Sequence, residues 1–223
     1  MFYSKEELVN KVNAIDYNSI FVEKSVVVEE GVTLLPNVIV LGNSVIEKGV
    51  KLGPNCYIDN SKLCSEASVI SSHITNSIIG KTAQIGPFSH IRDGADIGEC
   101  CKIGNFVEVK KSSVGSCSKA SHLAYLGDSE VGKKVNFGCG AITVNYNGVL
   151  KQKTIIGDNV FIGSNSNLIA PITIGDGSFI ACGSTINSSI PDNCFSIARV
   201  RQQDKGEYAE ILKSRYKDDT NGK

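Results

Sequence analysis

The sequence has no tryptophan, one methionine, three histidines and only 7% aromatic residues. Its 23 basic and 23 acidic side chains cancel, so no broad charged surface for nucleic acid or an anionic membrane is expected. No run approaches the roughly 18 consecutive apolar residues that cross a bilayer. The N-terminus, MFYSKEELVNKV, carries acidic residues where a signal peptide is apolar. These absences predict a cytoplasmic protein that binds neither nucleic acid nor a membrane.

The eight cysteines include no C-x-x-C pair, although their number alone could suggest a disulfide framework. Several of them stand within or beside positions of a repeat that requires small residues. We therefore interpret them as reduced, half-buried thiols of a cytosolic protein.

A branched aliphatic residue recurs at every sixth position over long stretches of the chain. One run contains Ile79, Ile85, Ile91, Ile97, Ile103 and Val109, and another contains Ile156, Ile162, Leu168, Ile174, Ile180 and Ile186. This spacing fits neither the 3.6-residue period of a helix nor the alternation of a single sheet face. It is typical of a parallel β-helix, in which three hexapeptides make one triangular coil of about 18 residues. Spacing alone does not reveal the hand, but known hexapeptide-repeat proteins wind left-handed. We predict an all-β, left-handed parallel β-helix.

The ends of the chain and one internal stretch depart from the repeat. Ser4 and Glu7 have the spacing of a capping box, which favours a short helix over residues 4–14. A second short helix, followed by a disordered terminus, is expected around Glu207 to Tyr216. The looser register between Leu63 and Ile79 suggests a corner insertion. The predicted units are residues 1–18 (N-terminal helix and lead-in), 19–197 (β-helix domain) and 198–223 (C-terminal arm and tail).

The repeat falters between Val109 and Ile156, where a functional site is most easily accommodated. Asn147-Gly148 is a strong turn signal, so the polar segment after Thr143 should protrude as a loop. His122 lies in the same stretch and is the best general-base candidate, because a neutral imidazole takes up a proton near pH 7. A solvated loop without a role and a structural histidine are the alternatives.

Four segments of the chain resemble one family closely: GNFVEVKKSSVG, KASHLAYLGDSEVGKKVNFGCGAITVNYNG, KTIIGDNVFIGSNSNLIAPITIGDGSFIACGSTI and SIARVRQ. They resemble the acetyltransferase half of the bacterial bifunctional N-acetylglucosamine-1-phosphate uridylyltransferase/glucosamine-1-phosphate acetyltransferase. HLxYLGD and TxNYxG are its most distinctive motifs. The resemblance implies transfer of an acetyl group from acetyl-CoA to the amine of glucosamine 1-phosphate, a step toward UDP-N-acetylglucosamine and cell wall precursors. It also implies a homotrimer with sites shared between subunits, and no metal is required for the transfer.

The resemblance implies the site residues as well. His122 matches the general base of the family, and Glu108 matches the carboxylate that orients it. The implied sugar and phosphate contacts are Arg92, Lys110, Tyr125, Asn136, Asn145, Tyr146 and Lys151. The implied acetyl-CoA contacts are Asn145, Cys139, Ser164, Cys182 and Arg199. Where Cys139 and Cys182 stand, the family commonly has alanine.

The sequence departs from the family in lacking the uridylyltransferase domain, so neither that activity nor its magnesium requirement is expected. Either another protein performs that step, or the chain is a piece of a longer one. Two other readings of the site stay open: the same fold and donor with a different amino-sugar or sugar-nucleotide acceptor, and a non-catalytic β-helix scaffold. The histidines, His73, His90 and His122, lack the close pair expected of zinc-bearing carbonic anhydrases built on this fold, so no metal site is predicted.

Overall fold

The computed structural model describes residues 1–220, and short parallel strands wind through most of them in three sheets. Sheet 1 contains Asn13–Ala14, Thr33–Leu34, Lys51–Leu52, Ser68–Val69, Gln84–Ile85, Lys102–Asn105, Lys119–His122, Asn136–Phe137, Phe161–Ile162, Phe179–Ile180 and Phe195–Ser196. Sheet 2 contains Ile20–Val22, Val38–Leu41, Tyr57–Asp59, His73–Thr75, His90–Arg92, Glu108–Lys110, Tyr125–Gly127, Ile142–Val144, Asn167–Ile169 and Thr185–Ile186. Sheet 3 contains Val27–Val28, Val45–Ile46, Lys62–Leu63, Ile78–Ile79, Asp96–Ile97, Ser113–Val114, Ser129–Val131, Thr154–Ile156 and Ile172–Ile174.

The core is a stack of inward-facing aliphatic side chains that most of the strands contribute. In sheet 2, equivalent residues of successive coils pair in register and are fully buried: Ile58, Ile74, Ile91, Val109 and Leu126. Neighbouring strands lie about 4.8 Å apart, so each of these side chains packs directly on the one below it. The small residues Ala83 and Cys101, which lie between strands, are buried as well. The predicted left-handed parallel β-helix of hexapeptide repeats is confirmed.

Coil length varies, and one of our expectations about it is wrong. The predicted corner insertion between Leu63 and Ile79 is absent, because Lys62–Leu63 pairs directly with Ile78–Ile79. Ser61 and Ser77, which are 16 residues apart, hydrogen-bond across this coil, so it is shorter than its neighbours rather than longer. The residues that enlarge a coil lie after Thr143, which pairs with Leu168.

The enlarged coil carries the predicted loop over residues 145–153. An antiparallel bridge joins Tyr146 and Lys151 at its base. At its tip the side chain of Asn147 accepts hydrogen bonds from the N–H groups of Val149 (3.0 Å) and Leu150 (2.8 Å). Gly148 has φ = 95°, a conformation that favours glycine. Val149 is 81% exposed, so the prediction of a protruding loop is confirmed.

The N-terminal helix, Lys5–Val9, is shorter than the predicted 4–14. The capping box is formed, with Ser4 accepting from the N–H of Glu7 and Glu7 accepting from the N–H of Ser4. Leu8 is buried but Val9 is exposed. The helix ends early because the chain pairs as strand Asn13–Ala14 with Thr33–Leu34. A 3-10 turn follows at Tyr17–Ser19.

The second helix spans Tyr208–Thr220 and confirms the predicted C-terminal helix, with a longer extent. The expected disordered terminus falls on residues 221–223, which lie outside the described residues. No helix within residues 1–220 combines the length and the apolar character needed to cross a bilayer.

The eight cysteines are free, which confirms the prediction of thiols, although Cys100, Cys117, Cys139 and Cys182 are exposed rather than half-buried. Burial raises the pKa of the inward-facing Cys101 to about 11.

Candidate active site

One edge of the coil, where sheet 1 turns into sheet 2, carries a row of side chains that we call the corner column. Asn105 pairs with His122, and the next strands of sheet 1 continue in the same register. The corner column therefore contains, one per coil, Asn105, His122, Cys139, Ser164 and Cys182. At about 4.8 Å per coil, the row from His122 to Cys182 is roughly 14 Å long. The predicted base and three predicted acetyl-CoA contacts thus share one edge of the protein.

Arg199 lies at the far end of the corner column. It follows the last strand of sheet 1, and its Cδ atom lies 3.7 Å from the position that a Cβ on Gly183 would occupy. Gly183 directly follows Cys182, so the guanidinium group extends the column on the side away from His122. A cation at this end is suited to phosphate groups.

His122 is exposed at the end of its strand, and its closest side-chain partner is an amide. The Nδ1 atom lies 2.7 Å from Oδ1 of Asn105, which is 17 residues earlier in the chain. The predicted partner, Glu108, is engaged elsewhere: its Oε1 accepts from Nε (2.8 Å) and Nη2 (2.7 Å) of Arg92. The role of Glu108 toward His122 stays a prediction. Asn105 was missed, although its position one coil length before His122 was a usable signal.

The predicted phosphate contacts lie at the other edge of sheet 2. Arg92 and Lys110 stack in register, and Lys151 of the loop reaches the same place. The nearby Lys110 side chain lowers the pKa of Lys151. Two adjacent cations repel each other, and a bound anion relieves this repulsion. The pair is therefore suited to a phosphate group.

Tyr125 and Asn145 are held together above Gly127, which pairs with Lys110 in the next coil of sheet 2. A Cβ on Gly127 would lie 2.5 Å from Cζ of Tyr125, so the ring covers this glycine closely. The amide nitrogen of Asn145 donates to the hydroxyl of Tyr125 (3.4 Å) and to Oδ2 of Asp128 (2.5 Å). Asp128 was not singled out in the sequence, although it ends the LGD motif. Its carboxylate orients the amide of the nearly buried Asn145.

Of two further predicted contacts, Asn136 lies apart from these groups, whereas Tyr146 is paired with Lys151 at the base of the loop. Asn136 stands on sheet 1 between Lys119 and Phe161. Tyr146 is 55% exposed on the loop and donates its hydroxyl to the carbonyl of Gly148 at 2.6 Å. Within one chain, the predicted residues form two groups at opposite edges of sheet 2 rather than one cleft.

The chain matches the bacterial transferase hexapeptide family (six repeats) over residues 25–60, 76–111 and 153–188. The bifunctional protein GlmU of Acholeplasma laidlawii is 54% identical over 211 residues, which are 95% of this chain and 46% of that protein. The bifunctional protein GlmU of Halalkalibacterium halodurans is 49% identical over 88% of this chain and 43% of its own length. The chain thus spans less than half the length of these curated relatives.

A solved structure of LpxA, a UDP-N-acetylglucosamine acyltransferase from Bacteroides fragilis, is similar with a TM-score of 0.53. The alignment covers 88% of this chain and 76% of that chain at 18% identity, so it supports the fold alone.

Proposed function

Because the chain is a hexapeptide-repeat protein related to part of the bifunctional protein GlmU, we propose that it acetylates the amine of glucosamine 1-phosphate with acetyl-CoA. The observation that carries the proposal is the corner column. The column has the cation of Arg199 at one end and a histidine at the other, with roughly 14 Å of stacked coils between Cys182 and His122. This arrangement suits an extended donor that has phosphates at one end and a thioester at the other. The exposed thiols Cys139 and Cys182 line this path.

In the proposed reaction His122 acts as the general base. The amine of the sugar attacks the thioester carbonyl, and His122 takes the proton that the nitrogen must lose as the C–N bond forms. When the C–S bond breaks, the imidazolium returns this proton to the thiolate of coenzyme A. Both N–H groups of the Asn145 amide point to Asp128 and Tyr125, so this residue offers its carbonyl oxygen to a donor such as the substrate amine.

The phosphate of the acceptor is proposed to bind between Lys110 and Lys151, with Arg92 beside them. The repulsion that lowers the pKa of Lys151 supports this assignment, since a phosphate dianion would replace it with attraction. Glu108 and Asp93 hold the guanidinium of Arg92, with Asp93 at 2.5 Å from Nη1. These carboxylates orient Arg92, and a bound phosphate would compete with them for its N–H groups.

We further propose that the enzyme works as a homotrimer. The cations and the corner column lie at opposite edges of sheet 2, so a second copy must approach for a complete site to form. Light scattering should give a mass three times the chain mass of 23.8 kDa. A monomeric mass in a fully active sample would contradict the shared site.

The test of the function is thiol release from acetyl-CoA in the presence of glucosamine 1-phosphate. His122→Ala should lower turnover by roughly 10²–10⁴-fold, the usual contribution of a positioned base. The matched control is His73→Ala, which removes an exposed histidine from sheet 2 outside the proposed site. Turnover in His122→Ala equal to that of the control would remove His122 from the mechanism.

The acceptor is tested in the same assay by comparing three amines at equal concentration. Glucosamine 1-phosphate should react fastest, free glucosamine should react slowly because it lacks the phosphate, and a nucleotide-linked amino sugar should be a poor acceptor. A large preference for the nucleotide-linked sugar would replace the proposed acceptor with that class.

A further inference from the structure

We infer that Asn105 positions the His122 base and selects its tautomer, an inference that rests on the proposed function of His122. Strand Lys102–Asn105 pairs in register with strand Lys119–His122, so Asn105 lies directly below His122. Its Oδ1 atom is 2.7 Å from Nδ1 of the imidazole. Asn105 is therefore a positioning residue, since it acts through His122 and not on the substrate.

The chemistry of this contact determines which ring nitrogen holds the proton. An amide oxygen can only accept a hydrogen bond, so Nδ1 of His122 must be the donor. In a neutral imidazole the other nitrogen, Nε2, then carries the lone pair that a general base needs. Without this partner the ring can adopt the other tautomer, in which Nε2 holds the proton and is unable to accept another one.

Asn105 also holds the backbone on the far side of His122. Its main-chain carbonyl accepts a hydrogen bond from the N–H of Leu123 at 3.0 Å. Leu123 has φ = 47°, which is unusual for a branched side chain and requires support from its surroundings. The side chain of Asn105 thus contacts the ring of His122, while its main chain, which is unchanged by substitution, supports the turn that follows.

The carboxylate implied by the family resemblance is less suited to this role within the chain. Oε1 of Glu108 accepts two hydrogen bonds from Arg92, and both donor atoms lie within 3 Å of it. A neutral amide orients the imidazole without adding a full negative charge beside it. The Asn105 contact therefore orients the base without a charged partner that would raise its pKa.

The first experiment observes the tautomer directly and does not depend on turnover. The protein has three histidines, so ¹⁵N NMR resolves their ring nitrogens, and the signals lost in His122→Gln identify His122. In the wild type we expect a protonated Nδ1 and an unprotonated Nε2. In Asn105→Ala the Nε2-protonated form should increase. A wild-type ring already protonated at Nε2, or an unchanged tautomer in the variant, would overturn the inference.

The second experiment measures kcat and KM in the acetyl transfer assay. Asn105→Ala should lower kcat by about 10–100-fold, the usual effect of losing an orienting partner, with little change in KM. Asn105→Asp should restore most of kcat, because a carboxylate oxygen also accepts from Nδ1. Its negative charge should move the acid limb of the pH–rate profile to higher pH. Loss of kcat in Asn105→Ala without rescue by Asp would mean a structural role.

Other ionisable groups near the ring also influence the pH profile, and both variants retain them. They are Lys102 and Lys119 on the two paired strands, Cys139 in the next coil, and Glu108 and Tyr125 on sheet 2. A matched control is Asn167→Ala, which removes another amide that contacts the next coil, in this case Thr185 at 3.4 Å. If the wild type shows no acetyl transfer to glucosamine 1-phosphate, the proposed function is wrong. The NMR result would still decide whether Asn105 selects the tautomer of His122.

Discussion

A single methyl group at Gly127 should damage the proposed site while the coil stays folded. In Gly127→Ala the new Cβ would lie 2.5 Å from Cζ and 2.6 Å from Cε1 of Tyr125, against an ordinary contact distance of 3.4–4 Å. The ring must move by about 1 Å, and its 3.4 Å contact with Asn145 breaks. A strained rotamer costs about 1 kcal/mol and the lost hydrogen bond about 1 kcal/mol. The alanine offsets roughly 0.4–1 kcal/mol by restricting the unfolded chain.

The expected net effect is a loss of about 1 kcal/mol in the free energy of unfolding, measured by urea titration. Activity should fall much more, by on the order of 10²-fold in kcat/KM, because a shift of 1 Å in a positioning group has this effect on catalysis. Thiol release from acetyl-CoA measures this. Stability and activity should therefore separate in this variant.

Gly98→Ala is the matched control, since its Cβ would meet backbone instead of a movable ring. The nearest atoms are the carbonyl oxygen of Val114 at 2.7 Å and the nitrogen of Ser116 at 2.9 Å. The next coil must shift, and overpacking of this kind costs about 1–3 kcal/mol or more. If Gly127→Ala acetylates at the wild-type rate, Tyr125 has no role in the site. If it unfolds as easily as Gly98→Ala, the ring is not free to move.

Lys110 lowers the pKa of Lys151, so Lys151 loses its proton at lower pH than an ordinary lysine. The KM for glucosamine 1-phosphate should rise with alkaline pH earlier in the wild type than in Lys110→Met, and identical pH dependences would refute the pairing. Partial desolvation by the surrounding residues and the neighbouring His90 lower the pKa of the solvent-accessible His73, so the folded state binds that proton less readily than the unfolded state. The neutral His73 therefore contributes to the free energy of unfolding above the ordinary histidine pKa of 6.5, and this contribution is lost as pH falls. The stability of His73→Gln in urea should be less sensitive to acid than that of the wild type, and equal sensitivity would contradict the lowered pKa. Leu126→Ala empties a fully buried core position and should cost about 2–5 kcal/mol in urea unfolding, so a cost below 1 kcal/mol would contradict tight stacking.

Features that depend on a few neighbouring residues were predictable from the sequence. The capping box of Ser4 and Glu7 formed, and the Asn147-Gly148 turn ended a protruding loop. The N-terminal helix was overextended because helix periodicity says nothing about a competing strand partner. Strand Asn13–Ala14 pairs with a segment one coil further on, and this tertiary pairing overrides the local pattern.

The candidate site was predictable as a set of residue types but not as a set of contacts. The resemblance pointed to His122, Glu108 and Arg92. The structure pairs Glu108 with Arg92 and gives His122 the amide of Asn105 instead. Each of these partners comes from an adjacent coil, and the sequence does not mark which residue of that coil will lie opposite.

The hexapeptide spacing by itself determined that this chain forms a β-helix, because a branched residue at every sixth position specifies which side chains face inward. Only the tertiary structure decided which outward side chains touch. Coil steps vary from 16 residues between Ser61 and Ser77 to 25 between Lys133 and Asp158, and every change in step shifts the residues stacked above it. A side chain on such a coil meets its neighbours across these steps, so the contacts of Asn105, Lys151 and Asp128 emerge only when the coils are stacked.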